Sequence, residues 1–287
     1  MRNVLFLLTI VLALAGCSTS RAMRVGSYNV RLSTGDKGTP NAWDERKADL
    51  VALVRRLDLD VFGMQEVKPD QAQYFRENLS EWEFVGDHRG ADRRSDEASP
   101  VFFRKTRFEA LDKGTFWLSE TPDVPASKSW GTACTRVCSY LILRDRRTGQ
   151  KFCFANTHTD HVSELARKNG MELIIARMKK FGSGCPIVFT GDHNCSRDEA
   201  PAVAMRKVLK DARDVAEVRD SGPLNTFQGF GKHVGLDAAS AQKLRIDYIY
   251  VSDGVIVHDF MTHGDKRPGG GLYPSDHYPV TATIELR

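Results

Sequence analysis

A succession of apolar, strand-like runs, each meeting a polar side chain at one end, constrains this chain more than any other feature. Residues 24–30 carry Asn29 near their end, 61–65 run into Glu66, and 152–157 run into His158. Residues 186–191 lead to Asp192, with His193 and Asn194 next; 245–251 hold Asp247 near their start, and Asp276 and His277 precede the last apolar run. Such near-continuous apolar runs suit sheets covered on both faces. Helical spacing fills the intervals. Residues 43–57 put Leu50, Val51, Val54 and Leu57 on one face, Pro69 suits the first position of a helix reaching Leu79, and 163–181 gather Met171, Ile174, Ile175 and Met178. A further helix is expected over 200–215, and a hairpin pairs 136–143 with 151–155. Strands alternating with helices and hairpins give an α+β class, an α/β sandwich, with one domain over 23–287.

With 287 residues, 41% of them hydrophobic and 27% charged, the chain can bury a large core. A net charge of +4 tolerates an anionic substrate but falls short of the basic excess of a dedicated nucleic-acid binder. The first residues read as an export signal: Arg2, then an apolar stretch over 4–15 that is too short to span a bilayer as a stable helix. Leu14-Ala15-Gly16-Cys17 resembles the lipobox of bacterial lipoproteins. That resemblance implies a removable signal peptide over 1–16, a lipid on Cys17, a tether over 17–22, and anchoring to a membrane. Ser18 after the cysteine favours the outer membrane, facing either periplasm or surface. The remaining cysteines, Cys134, Cys138, Cys153, Cys185 and Cys195, are odd in number and fit no zinc spacing. They are expected to be buried thiols, with one disulfide allowed.

Taken in order, Tyr28-Asn29-Val30, Gln65-Glu66-Val67, Asn156-Thr157-His158, Gly191-Asp192-His193-Asn194, Arg245-Ile246-Asp247-Tyr248 and Ser275-Asp276-His277 resemble the motifs of the endonuclease/exonuclease/phosphatase superfamily. The resemblance covers essentially the whole chain after residue 23. It implies a deoxyribonuclease I-like fold, two packed mixed β-sheets flanked by helices in four layers. It also implies hydrolysis of phosphate esters with Mg²⁺ or Mn²⁺, Ca²⁺ being a further candidate; oxygen donors select such hard cations. By the same resemblance Asn29 and Glu66 hold the metal with Asp276 beside it, and Asp192 and Asn194 orient the attacking water. Asp247 orients His277 as general base, the logic of a carboxylate-supported imidazole. His158 assists the leaving group with Glu97 behind it, and Arg136 and Asn156 contact the substrate phosphate.

A two-zinc reading built on His158, Asp160, His161, Asp192 and His193 lacks the early Asp-x-His pair and the late Gly-His-x-His it requires. Arg89, Arg93 and Arg94 ahead of Glu97 suggest a basic loop beside the site. Trp117 and Trp130, in a proline-punctuated stretch, are core residues first and stacking platforms second. No interleaved aromatic and basic track for single strands is present. The first expectation is therefore a monomeric phosphodiesterase or phosphatase acting on a phosphorylated small molecule, glycan or lipid headgroup. A secreted nuclease acting on DNA or RNA comes second. A non-catalytic surface-binding lipoprotein, the third class, has no use for so complete a polar set.

Overall fold

In the run Val61–Gln65, alternate side chains face different environments, as a strand requires. Val61 joins an apolar cluster between two sheets, whereas Phe62 and Met64 join another beneath helices. The computed structural model describes residues 21–182, 184–218 and 220–287, so the lipobox and Cys17 lie outside the described residues. Its strands are β1 (Met23–Asn29), β2 (Val61–Gln65), β3 (Trp82–Val85), β4 (Val101–Arg104), β5 (Phe108–Trp117) and β6 (Val137–Asp145). They continue with β7 (Lys151–His158), β8 (Ile187–Asp192), β9 (Lys210–Asp211), β10 (Asp247–Val251), β11 (Val255–Thr262) and β12 (Val280–Leu286). The helices are α1 (Trp43–Leu57), α2 (Pro69–Asn78), α3 (Glu164–Gly182), α4 (Ala200–Met205), α5 (Ala212–Val215) and α6 (Ala238–Lys243).

One six-stranded sheet has the order β11-β12-β1-β2-β4-β3, the other β5-β6-β7-β8-β10-β9. Each is mixed: β1 runs parallel to β2 and β7 parallel to β8, while the remaining pairs are antiparallel. The sheets pack face to face through Val25, Val61, Phe103, Phe154, Val188 and Ile249. Leu50, Val54 and Leu57 of α1 and Phe75 of α2 cover the outer face of the first sheet. Met171, Ile174 and Met178 of α3 cover the second. This is the expected α+β sandwich in four layers.

The helix expected over 200–215 is interrupted. Residues 206–209 leave the helix, and Lys210–Asp211 pair with Tyr250 and Val251 at a sheet edge. Tertiary pairing overrides local propensity here, because Asp211 is buried and binds both Nη atoms of Arg245, at 2.7 and 2.8 Å. All five cysteines among the described residues are free thiols; Cys138, Cys153 and Cys195 are buried, but Cys134 and Cys185 are only half-buried. No helix among the described residues is long and apolar enough to cross a membrane.

Candidate active site

Strand register alone assembles half of the site. His158 pairs opposite Asp192 in the parallel β7–β8 ladder, and Asp192 pairs opposite Asp247 in the antiparallel β8–β10 ladder. Three polar residues therefore stand in one row across the end of the second sheet. On the first sheet Asn29 and Gln65 are register partners, with Glu66 one residue beyond. Asp276 and His277 arrive just before β12, which runs antiparallel to β1. Arg31, Glu66 and Asn194 all adopt left-handed backbone, with φ of 56°, 64° and 45°. Such conformations cost non-glycine residues roughly 1–3 kcal/mol each and cluster where function fixes the chain.

Two imidazoles flank Asp192. Its Oδ2 lies 3.5 Å from His158 Nε2 and 3.7 Å from His277 Nε2. Nδ1 of His277 contacts Asp247 Oδ2 at 2.8 Å, as expected for a carboxylate-oriented imidazole. Asn194 Nδ2 donates to His158 Nε2 at 2.9 Å and to the Thr159 carbonyl, which places the His158 ring proton on Nδ1. Arg136, His158, Asp276, His277, Glu66 and Glu97 share one cleft of about 540 Å³.

The geometry defines the surroundings of three expected site residues. Asn29 donates through Nδ2 to Glu66 Oε1 at 3.0 Å and to Asp192 Oδ2 at 2.9 Å, while its Oδ1 accepts from the Arg31 amide. Asn29 therefore bridges the two carboxylates through Nδ2, with its oxygen turned to the backbone. Asn156 is fully buried and does not face the cleft. It donates to the Met64 and Pro100 carbonyls and accepts from Gln65 Nε2 at 2.7 Å, so it stitches one sheet to the other. Glu97 does line the cleft but does not hold His158: its Oε1 accepts from Arg89 Nη2 at 3.0 Å, and His158 Nδ1 has no partner among the described residues.

The basic loop contributes less than its sequence suggests. Arg89 is buried in ion pairs with Asp96 and Glu97, Arg93 bonds Asp87 and lies over the Trp117 ring, and Arg94 is exposed. Trp117 is core, its Nε1 donating to the Arg89 carbonyl, and Trp130 is half-buried. The His193 ring is buried against Phe189, Tyr248 and Tyr250 and takes no part in the cleft. Sequence reasoning missed Arg31, 3.7 Å from Asp276, and gave no role to His161 outside the rejected zinc reading. The position of Arg31, two residues past a polar strand end, was the available signal.

Burial dominates the electrostatics. It raises the Asp192 carboxyl, with help from the Asp247 charge, up to about 7. Burial opposes charge on His277, but Asp247, Asp192 and Asp276 outweigh it and push the imidazole up to about 10. His158 goes the other way, held well below its ordinary value by burial and by the Arg136 charge. Asp276 and Glu97 are both raised by burial and by repulsion from Glu66.

That mutual repulsion is what a cation would relieve. Among the described residues Glu66 accepts only from Asn29 and from the Leu32 amide at 2.9 Å, and Asp276 faces it across the cleft. Two buried carboxylates with free lone pairs suit a hard divalent ion that completes its shell with water and phosphate. Asp192, Asp247 and His277 also offer donor atoms within 4.8 Å of one another. There, however, Nδ1 of His277 is already committed to Asp247.

A two-sheet hydrolase sandwich with acids and imidazoles gathered at one strand-end cleft is the class that fold and site define. The chain belongs to the endonuclease/exonuclease/phosphatase family, whose model matches residues 26–277. It is 33% identical to an endonuclease/exonuclease/phosphatase from Bacteroides vulgatus, covering 93% of this chain and 99% of that one with a TM-score of 0.85. It is 32% identical to a mannosyl-6-phosphatase from Bacteroides thetaiotaomicron, covering 92% of this chain and 100% of the other with a TM-score of 0.84. An uncharacterised protein of Acanthamoeba polyphaga mimivirus is 23% identical over 219 residues, 66% of this chain. The match spans only 32% of that viral protein's length. Family and structural relatives together support phosphoester hydrolysis as the chemistry of this fold.

Proposed function

We propose that this chain hydrolyses phosphate esters of small phosphorylated molecules or glycans, a sugar phosphate foremost, using Mg²⁺ or Mn²⁺ held by Glu66 and Asp276. The observation that carries the reading is Asp192 standing between His158 and His277 in the cleft that also holds those two carboxylates. The likeness to a mannosyl-6-phosphatase over nearly the whole chain supports a sugar phosphate. When bound, the cation supplies charge to the non-bridging phosphate oxygens as they become more negative.

The chain's own groups divide the remaining work. Asp192, its carboxyl raised by burial and by the Asp247 charge, stands between the two imidazoles and is placed to orient the attacking water. His277, oriented by Asp247 through Nδ1, is placed to take the proton from that water as general base. Neutralising the carboxylates that face it weakens its hold on the proton, the condition under which it serves as general base. Arg136 offers a guanidinium for phosphate oxygens, and His158 flanks Asp192 on the leaving side, steadied by Asn194. Export as an outer-membrane lipoprotein through Cys17, with the catalytic domain over 23–287, completes the proposal.

The test is hydrolysis of mannose 6-phosphate, phenyl phosphate and bis(p-nitrophenyl) phosphate, alongside single-stranded DNA and RNA. Turnover of the monoesters, abolished by EDTA and restored by Mg²⁺ or Mn²⁺, is expected. Undiminished turnover in chelator refutes the cation's role, and activity on nucleic acid alone favours the nuclease reading. Loss of lipid labelling in Cys17→Ala tests the anchor.

A further inference from the structure

The rim of the cleft near His158 carries a preorganised donor with no part in the chemistry described above. His161 lies in the turn after β7, exposed at the cleft rim, and Arg136 stands behind it. Nδ1 of His161 is 3.1 Å from Arg136 Nη2. A guanidinium only donates, so Nδ1 must accept. Nε2 is then the ring's outward donor. Arg136 is itself almost fully buried, with its Nε 4.0 Å from Asp160 Oδ2, so it does not follow its neighbour into solvent.

Asp160 fixes both segments. Its Oδ1 accepts from the Val162 and Ser163 amides at 3.0 and 2.7 Å, closing the turn that carries His161. Its Oδ2 accepts from Thr132 Oγ1 and the Ala133 amide at 2.7 and 2.9 Å, anchoring the segment that leads to Arg136. Ser163 Oγ adds a bond to the Trp130 carbonyl. One carboxylate thus holds two segments in register, and the entropy of ordering the imidazole is spent before any ligand arrives.

We propose that His161 is a specificity-determining residue that reads the alcohol portion of the substrate, donating from Nε2 to a hydroxyl or ring oxygen of a sugar-like leaving group. The inference rests on the phosphatase reading of the same cleft. A fixed N–H at the rim rewards an oxygen-bearing alcohol and gains nothing from a plain aromatic one. A donor built to meet a substrate oxygen discriminates against analogues that lack it.

The experiment compares kcat/KM for mannose 6-phosphate with kcat/KM for phenyl phosphate in wild type, His161→Phe and His161→Gln. The ratio of the two values cancels any shared loss through Arg136. In His161→Phe the ratio is expected to fall at least tenfold, mainly through KM for the sugar ester. His161→Gln, whose amide oxygen can accept from Arg136 while its NH₂ donates outward, should recover most of the ratio. An unchanged ratio in His161→Phe, with wild type active on both esters, overturns the assignment and leaves the phosphatase reading intact. Equal losses on both esters likewise overturn it, since they mark a purely positional role. A wild-type enzyme inactive on both monoesters overturns both readings.

Discussion

Asn29 Nδ2 donates to Asp192 Oδ2 at 2.9 Å, joining the polar end of one sheet to the polar end of the other. The same nitrogen holds Glu66, so one amide sets the distance between the carboxylate assigned to the cation and the one assigned to water. Asn29→Ala is expected to lower kcat about a hundredfold, on the order of 2.7 kcal/mol, with a small change in melting temperature. Steady-state kinetics with a thermal melt check this; a rate within threefold of wild type removes Asn29 from the machinery.

His277 and Asp247 should act as one unit. Each alanine variant is expected to lose roughly 10²- to 10⁴-fold in rate. The double variant should be hardly worse than the worse single, because groups that work together lose their effect together. Additive losses in this double-mutant cycle contradict a coupled pair.

His193 offers a stability test separate from catalysis. Both of its ring nitrogens are buried without partners among the described residues, and burial together with the Arg245 charge pushes the imidazole down from 6.5 to about 3. The unfolded chain therefore binds more protons than the folded one between those values, and this contribution to stability falls as pH drops from about 6.5 towards 3. His193→Phe removes two unsatisfied polar atoms in an aromatic stack and is expected to stabilise the fold by about 1–3 kcal/mol at pH 7. The gain should widen by pH 4.5. Urea unfolding at both pH values reads it, and a destabilised variant or a constant difference contradicts the reasoning.

Much of this site was legible because strands advertise their ends. His158, Asp192 and Asp247 sit where apolar runs stop or start, and register then places them side by side. Depth along a strand was not legible. Asn156 and His158 share a face of β7, as residues two apart must, yet Asn156 is one step further in, where β2 closes over it. Gly63 shows the closure: a Cβ there would lie 2.2 Å from the Asn156 side chain. Only the folded sandwich distinguishes a cleft-facing polar residue from one that rivets the sheets.

Competition between partners was equally hidden. Glu97 precedes a strand where a buttress for His158 was expected, but Arg89, eight residues earlier, takes its carboxylate. The amide of Asn29 turned its oxygen to the backbone for a similar reason, the Arg31 amide being two residues away. The expectation for 200–215 failed on a long-range pair, Asp211 with Arg245, that no local window contains.

The most direct measurement is anomalous diffraction from crystals soaked in Mn²⁺. The proposed site requires a peak between the carboxylates of Glu66 and Asp276, lost in Glu66→Ala. A peak among Asp192, Asp247 and His277 instead, or none at Glu66 under saturating Mn²⁺, contradicts it.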